Sequence, residues 1–139
     1  MKIVIDTNIL MSALIKDSIT RKMIINPEFE FYYPKVSLEE LNNHGRLILS
    51  KSKLDKQEYK NLLKKLLDNV VLVPTEHFYN NLDEAIKIMK DVDINDVPFL
   101  ACAISLNAEI WSDDSDFRKQ KKVKIFTTAE FIKKFLKSS

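Results

Sequence analysis

Glycine is almost missing from this chain. Its 139 residues include one, Gly45, together with four prolines, one cysteine and two histidines. A lone glycine excludes the glycine-rich turns that cradle phosphates in P-loop and Rossmann nucleotide sites. So little glycine and proline also leaves no room for a flexible linker or a low-complexity tract, and the sequence has no internal repeat. Cys102 sits in an apolar run, so there is neither a disulfide framework nor a cysteine metal site, which points to a reducing, cytoplasmic setting. His44 and His77 adjoin no serine or cysteine nucleophile pattern; triad hydrolysis is unsupported and both are assigned to surface or structure. No apolar stretch reaches membrane-spanning length, and the opening run is short and carries Asp6, so neither a signal peptide nor a membrane partner is expected. The net charge is only +2 although 30% of residues are charged, so the total does not announce a polyanionic partner.

What is present is enough for one ordinary domain, 1–139, with a real core: 45% of residues are hydrophobic. Ile3, Val4 and Ile5 are consecutive and β-branched, which suits a strand buried on both faces. Helical spacing follows over Asn8 to Leu14 and Ser18 to Ile25, with Asp17 in the turn between them. Phe29 to Tyr33 alternates as a second strand, closed by Pro34. Ser37-Leu38-Glu39-Glu40 matches a capping box, opening a helix that runs to about Leu49 with Gly45 inside it. A second helix restarts at Asp55 and carries Tyr59, Leu62, Leu63, Leu66 and Leu67 as one stripe, so the two form a helical hairpin. Val70 to Val73 is a third strand. Asn80 or Asn81 caps the next helix, and Asn95-Asp96-Val97-Pro98 opens another, apolar nearly all round to Leu106. Ala108 to Trp111 and Val123 to Phe126 are the last strands. Thr127-Thr128-Ala129-Glu130 is a further capping box before a terminal helix with Phe131 and Ile132. Strands alternating with helices predict an α/β domain with a mainly parallel central sheet.

Acids fall at the ends of these elements: Asp6, Glu40, Asp96, Asp114 and Asp116. Asp6, Glu40 and Asp96 each have a plain alternative in helix capping. In a parallel sheet, however, the ends beyond the strands' carboxyl termini gather on one edge, where ligands bind. Four or five carboxylates brought together repel one another, and a cation relieves this. All-oxygen ligation suits a hard ion such as Mg2+, with Mn2+ able to substitute, and such ions promote displacement at phosphorus. The basic run Arg118, Lys119, Lys121, Lys122 and Lys124 follows the last acidic cluster, as expected where a phosphate backbone passes a cation site. Lys119, Lys121 and Lys122 are the candidate contacts to such a backbone within it.

The ordered set I-D-T-N at the start, S-L-E-E-L around Glu40, D-I-N-D-V-P-F-L-A-C-A around Asp96 and W-S-D-D-S-D-F near the end resembles the PIN-domain family of metal-dependent ribonucleases over essentially the whole chain. The resemblance implies a central parallel sheet with helices on both faces and an Mg2+- or Mn2+-dependent site that cleaves single-stranded RNA. It makes Asp6, Glu40, Asp96 and Asp114 the core ligands and Asp116 the additional acid, with Asn8 and Ser112 as supporting polar residues. Glu40 is chosen over Glu39 because an aliphatic residue follows it; Asp93 and Asp113 are placed outside the ligand set. Family members include toxins paired with an antitoxin protein and stand-alone enzymes, and homodimers are common among them. Two other classes compete. A phosphatase of the aspartyl-nucleophile type also places an acid after its first strand, but needs a second Asp where Asn8 stands. A catalytically silent binding domain keeps the fold and loses acids, whereas all of them are present here.

Overall fold

The computed structural model describes residues 1–15, 18–91 and 93–138; Asp17 lies outside the described residues. Five strands, β1 (Lys2–Ile5), β2 (Glu30–Pro34), β3 (Val70–Val73), β4 (Glu109–Trp111) and β5 (Ile125–Phe126), form one sheet in the order β3-β2-β1-β4-β5. All four pairings are parallel. Ile3, Val4 and Ile5 are fully buried, as a central strand covered on both faces requires. The final strand is shorter than Val123 to Phe126, holding only Ile125 and Phe126.

The chain steps outward from β1 to β2 to β3, then crosses back to β4 on the other side of β1 and on to β5. Right-handed crossovers in opposite directions put helices on opposite faces. On one side lie α1 (Thr7–Ile15), α2 (Ser18–Ile24), α3 (Leu38–Asn43), α4 (Gly45–Ser52) and α5 (Lys56–Leu67), with α1 packed against the other four. On the other lie α6 (Leu82–Ile88), α7 (Val97–Leu106) and α8 (Thr128–Ser138). Phe31 and Tyr33 share a face by the period of the strand. Phe31 meets Trp111 and Phe131 of α8, and Tyr33 meets Phe99 of α7 edge-on. Helix α7 packs on β1, β2 and β4, with six of its ten residues buried. Its apolar circumference is therefore explained by its place across the middle of the sheet.

Several helix starts differ from expectation. Short 3-10 turns at Lys35–Ser37, Tyr79–Asn81 and Ile94–Asp96 lead directly into α3, α6 and α7. Each turn holds the expected cap residue, Ser37, Asn81 or Asp96, in the right-handed helical region, and none of these side chains caps the helix. A cap needs an extended backbone, so the preceding turn disables it. By contrast, Asp55 is extended and makes a complete capping box with Glu58, and Thr127 makes one with Glu130. Gly45 is also not interior: the chain breaks at His44, and Gly45 is the first residue of α4. The hairpin from α4 to α5 turns at Lys53, which is left-handed with φ 61°.

Candidate metal centre

The reversal in strand order lies between β1 and β4, and the acids collect just beyond the carboxyl ends of those two strands. Asp6 follows β1 directly. Its amide donates to the Trp111 carbonyl at 3.1 Å, extending the ladder by one residue and bringing it beside Ser112. The Ser112 hydroxyl donates to Asp6 Oδ2 at 2.7 Å and accepts the Asp114 amide at 3.0 Å. Asp114 Oδ1 in turn accepts the Asp116 amide at 2.9 Å. One hydroxyl, with its single donor directed at Asp6 and a lone pair at Asp114, fixes the acid of β1 against the acids after β4.

Asp96 reaches the same place from the start of α7. One carboxylate oxygen from each of Asp96, Asp114 and Asp116 lies within 4.8 Å of the others. Asp6, Glu40 and Asn8 join them in lining a cavity of about 200 Å3, with Asp93 and His44 completing the wall. The structure thus brings all five sequence-nominated acids to one cavity, three of them into mutual reach. Asp93 bonds the Asn95 amide at 3.0 Å and lines the cavity as well. Asp113 faces away, bonding the amide and hydroxyl of Thr128 at 2.7 and 2.8 Å at the start of α8.

The electrostatics of the cavity follow from burial and like charge. Asp6 is only 5% exposed, and burial pushes its carboxyl up to about 6; the bonds from Ser112 and the Thr7 amide hold it down, while Asp114 and Glu40 add repulsion. Asp96 is pushed up to about 7, first by burial and then by Asp6, Asp114, Asp93 and Asp116. Among the described residues the only ion pair made by the five acids is Asp116 Oδ1 with Lys119 Nζ at 3.2 Å. An all-oxygen donor set with raised carboxyls and so little compensation fits a hard divalent cation. Of the other nominated lysines, Lys122 pairs with Glu84 at 3.7 Å, and Lys121 is exposed.

Two contributors escape a reading of the sequence. His44, assigned there to surface or structure, is indeed exposed but also lines the cavity; its position four residues after Glu40, one helical turn on, was the available signal. Tyr33 was legible only as a residue of the second strand. Its buried hydroxyl donates to the Ser37 carbonyl at 2.9 Å and lies 2.7 Å from the Thr7 hydroxyl, tying the segment after Asp6 to the one before Glu40. Burial raises the Tyr33 hydroxyl well above its ordinary range, so it stays protonated and able to donate.

No curated protein sequence matches the chain. Solved structures do. A chain of VapBC2 from Rickettsia felis, in a structure bound to a DNA fragment from their promoter, superposes with a TM-score of 0.64 at 20% identity, covering 91% of this chain and 98% of that one. A chain of FitAcB from Neisseria gonorrhoeae gives 0.62 at 17% identity, covering 89% and 96%. At these identities the likeness is one of fold. The sequence profile of the PIN domain, independently, matches residues 4–132, a span that opens on β1 and closes within α8 and so takes in every strand beyond which an acid is placed. The chain belongs to the PIN domain family.

Proposed function

We propose that this protein is an Mg2+- or Mn2+-dependent endoribonuclease that hydrolyses phosphodiester bonds in single-stranded RNA. The observation that carries the reading is the convergence of Asp96, Asp114 and Asp116 within 4.8 Å, beside a buried Asp6 and with a single ion pair for relief among the described residues. Asp6, Glu40, Asp96, Asp114 and Asp116 are the residues that would hold the cation. When bound, the cation supplies activation of water and neutralisation of charge at the phosphate. The chain's own part is to hold the acids in place: Ser112 orients Asp6, and Asp114 orients Asp116 through its amide. Without the cation the Asp96 carboxyl is pushed up to about 7, so binding of a cation there would release a proton near neutrality. Asn8 lines the cavity where an aspartyl-nucleophile phosphatase needs a second acid, which weighs against that chemistry.

Lys119, Lys121 and Lys122 follow the last acids and are exposed, so they are proposed to guide the RNA backbone past the site. The fold likeness to chains of VapBC2 and FitAcB favours the toxin of a toxin and antitoxin pair over a stand-alone enzyme, with an antitoxin protein as partner; a homodimer is proposed from the family resemblance alone. Incubation of labelled single-stranded RNA with Mn2+, with Mg2+ and with EDTA tests the activity. Cleavage in either metal that stops on chelation is expected; cleavage that persists in EDTA contradicts the mechanism.

A further inference from the structure

A second, larger cavity of about 610 Å3 adjoins the acidic one, and Glu40 and His44 form the wall common to both. We infer that it is a subsite for one unpaired nucleobase of the RNA strand, with a preference for adenine and cytosine over uracil. The inference rests on the ribonuclease reading for the presence of a strand, but its features are its own. Two exposed aliphatic side chains line it, Val36 at 52% and Ile94 at 76% exposure, from the turns that lead into α3 and α7. Exposed apolar groups flanking a cleft suit the face of a flat ring, and histidine is among the side chains on which unstacked RNA bases settle.

Charge decides which part of a nucleotide enters. Among the described residues the lining includes Glu39 and Glu40 and neither lysine nor arginine, so a phosphate is repelled and the backbone is left to the basic side near Lys119. Carboxylates accept hydrogen bonds and do not donate them. Glu39, exposed at the cavity, therefore favours adenine and cytosine, whose amino groups donate, over uracil, whose corresponding position is a carbonyl. Asn43 and Asn95 add amide groups on the same lining, able to meet either kind of base edge. The turn that disables Ser37 as a cap also carries Val36, which lines this cavity.

The test measures equilibrium binding of fluorescent oligo(A), oligo(C) and oligo(U) to the full chain in Ca2+, a hard cation taking oxygen ligands. Wild type is expected to bind oligo(A) and oligo(C) roughly fivefold or more tighter than oligo(U), and Glu39→Gln to narrow that ratio, an amide being able to donate to the uracil carbonyl. Ile94→Ser should weaken all three. Equal binding of oligo(U) by wild type, a ratio unchanged in Glu39→Gln, or no binding of any oligonucleotide overturns the inference; in those cases a cationic protein segment is the better occupant. Oligonucleotides that bind with the expected bias but are never cut in Mn2+ contradict the ribonuclease reading and leave the subsite standing.

Discussion

Two sets of acids occupy helix starts in this molecule, and the fold treats them oppositely. At α5 and α8, Asp55 with Glu58, Glu130 and Asp113 are consumed by backbone amides and hydroxyls at the ends of their helices. At α3 and α7, Glu40 and Asp96 stand at helix starts of similar sequence and are left facing a cavity. The difference is one 3-10 turn ahead of each helix, which moves the cap residue into helical backbone and removes its reason to bond locally. Acids spared from capping in this way are available for something else, and they were spared where the sheet topology had already delivered Asp6, Asp114 and Asp116.

The largest expected effect breaks the comparison at its centre. Asp96→Asn or Asp114→Asn should reduce RNA cleavage by at least about a hundredfold, since even outer partners of metal ligands are worth ten- to a hundredfold. Asp55→Asn, an equally conservative change in a cap, should leave the rate alone because Asn caps as well as Asp. Equal losses in both sets, read from initial rates on labelled RNA, would erase the distinction.

Ser112→Ala comes next. It removes the 2.7 Å bond that orients Asp6 and the acceptor for the Asp114 amide, so metal affinity should fall roughly ten- to a hundredfold. Because that bond holds the Asp6 carboxyl down, its loss should move the carboxyl further above about 6. Titration of Mn2+ by paramagnetic relaxation measures the first effect, and carboxyl titration by NMR the second.

Much of this arrangement was legible in the sequence, and the reasons differ from residue to residue. Ile3 to Ile5, consecutive and β-branched, suited a doubly covered strand, and the position of Asp6 after it followed. The capping box at Thr127 was readable because both of its partners are local. Ser37 and Asp96 were not, because whether a 3-10 turn precedes a helix depends on how the segment docks against the sheet. Gly45 looked like a helix interior for the same reason: the break at His44 is set by packing, not by propensity. The Ser112 bridge joins positions 106 residues apart, and no local pattern can supply it.

A smaller effect is expected in stability against pH. Asp6 and Asp96 titrate near 6 and 7 in the folded protein and near 4 when unfolded. Between those values the native state holds the extra protons, so these groups favour folding below about pH 4, and that contribution is lost as the pH rises through 6 and 7. Without metal, wild type and Asp96→Asn should differ little at pH 5, and wild type should be the less stable at pH 8. The gap should be on the order of 1 kcal/mol, since Asp96 is half exposed and screened. Urea denaturation of both proteins at the two pH values measures it; a gap that is larger at pH 5 contradicts the assignment.

The smallest effect on the fold concerns the lysines. Neutralising Lys121 and Lys122 should change stability by less than about 1 kcal/mol, the Lys122 pair with Glu84 being on the surface. The salt slope of RNA binding should flatten by roughly one unit for each phosphate that is no longer neutralised. An unchanged slope returns both to solvated surface.

The most direct measurement is the melting temperature of wild type, Asp96→Asn and Asp55→Asn with and without Mn2+. A ligand that binds only the folded state must raise the transition. Wild type and Asp55→Asn should gain on adding metal, and Asp96→Asn should lose most of that gain while melting slightly higher than wild type in its absence. A metal response undiminished in Asp96→Asn would contradict the claim that the spared acids form a cation site.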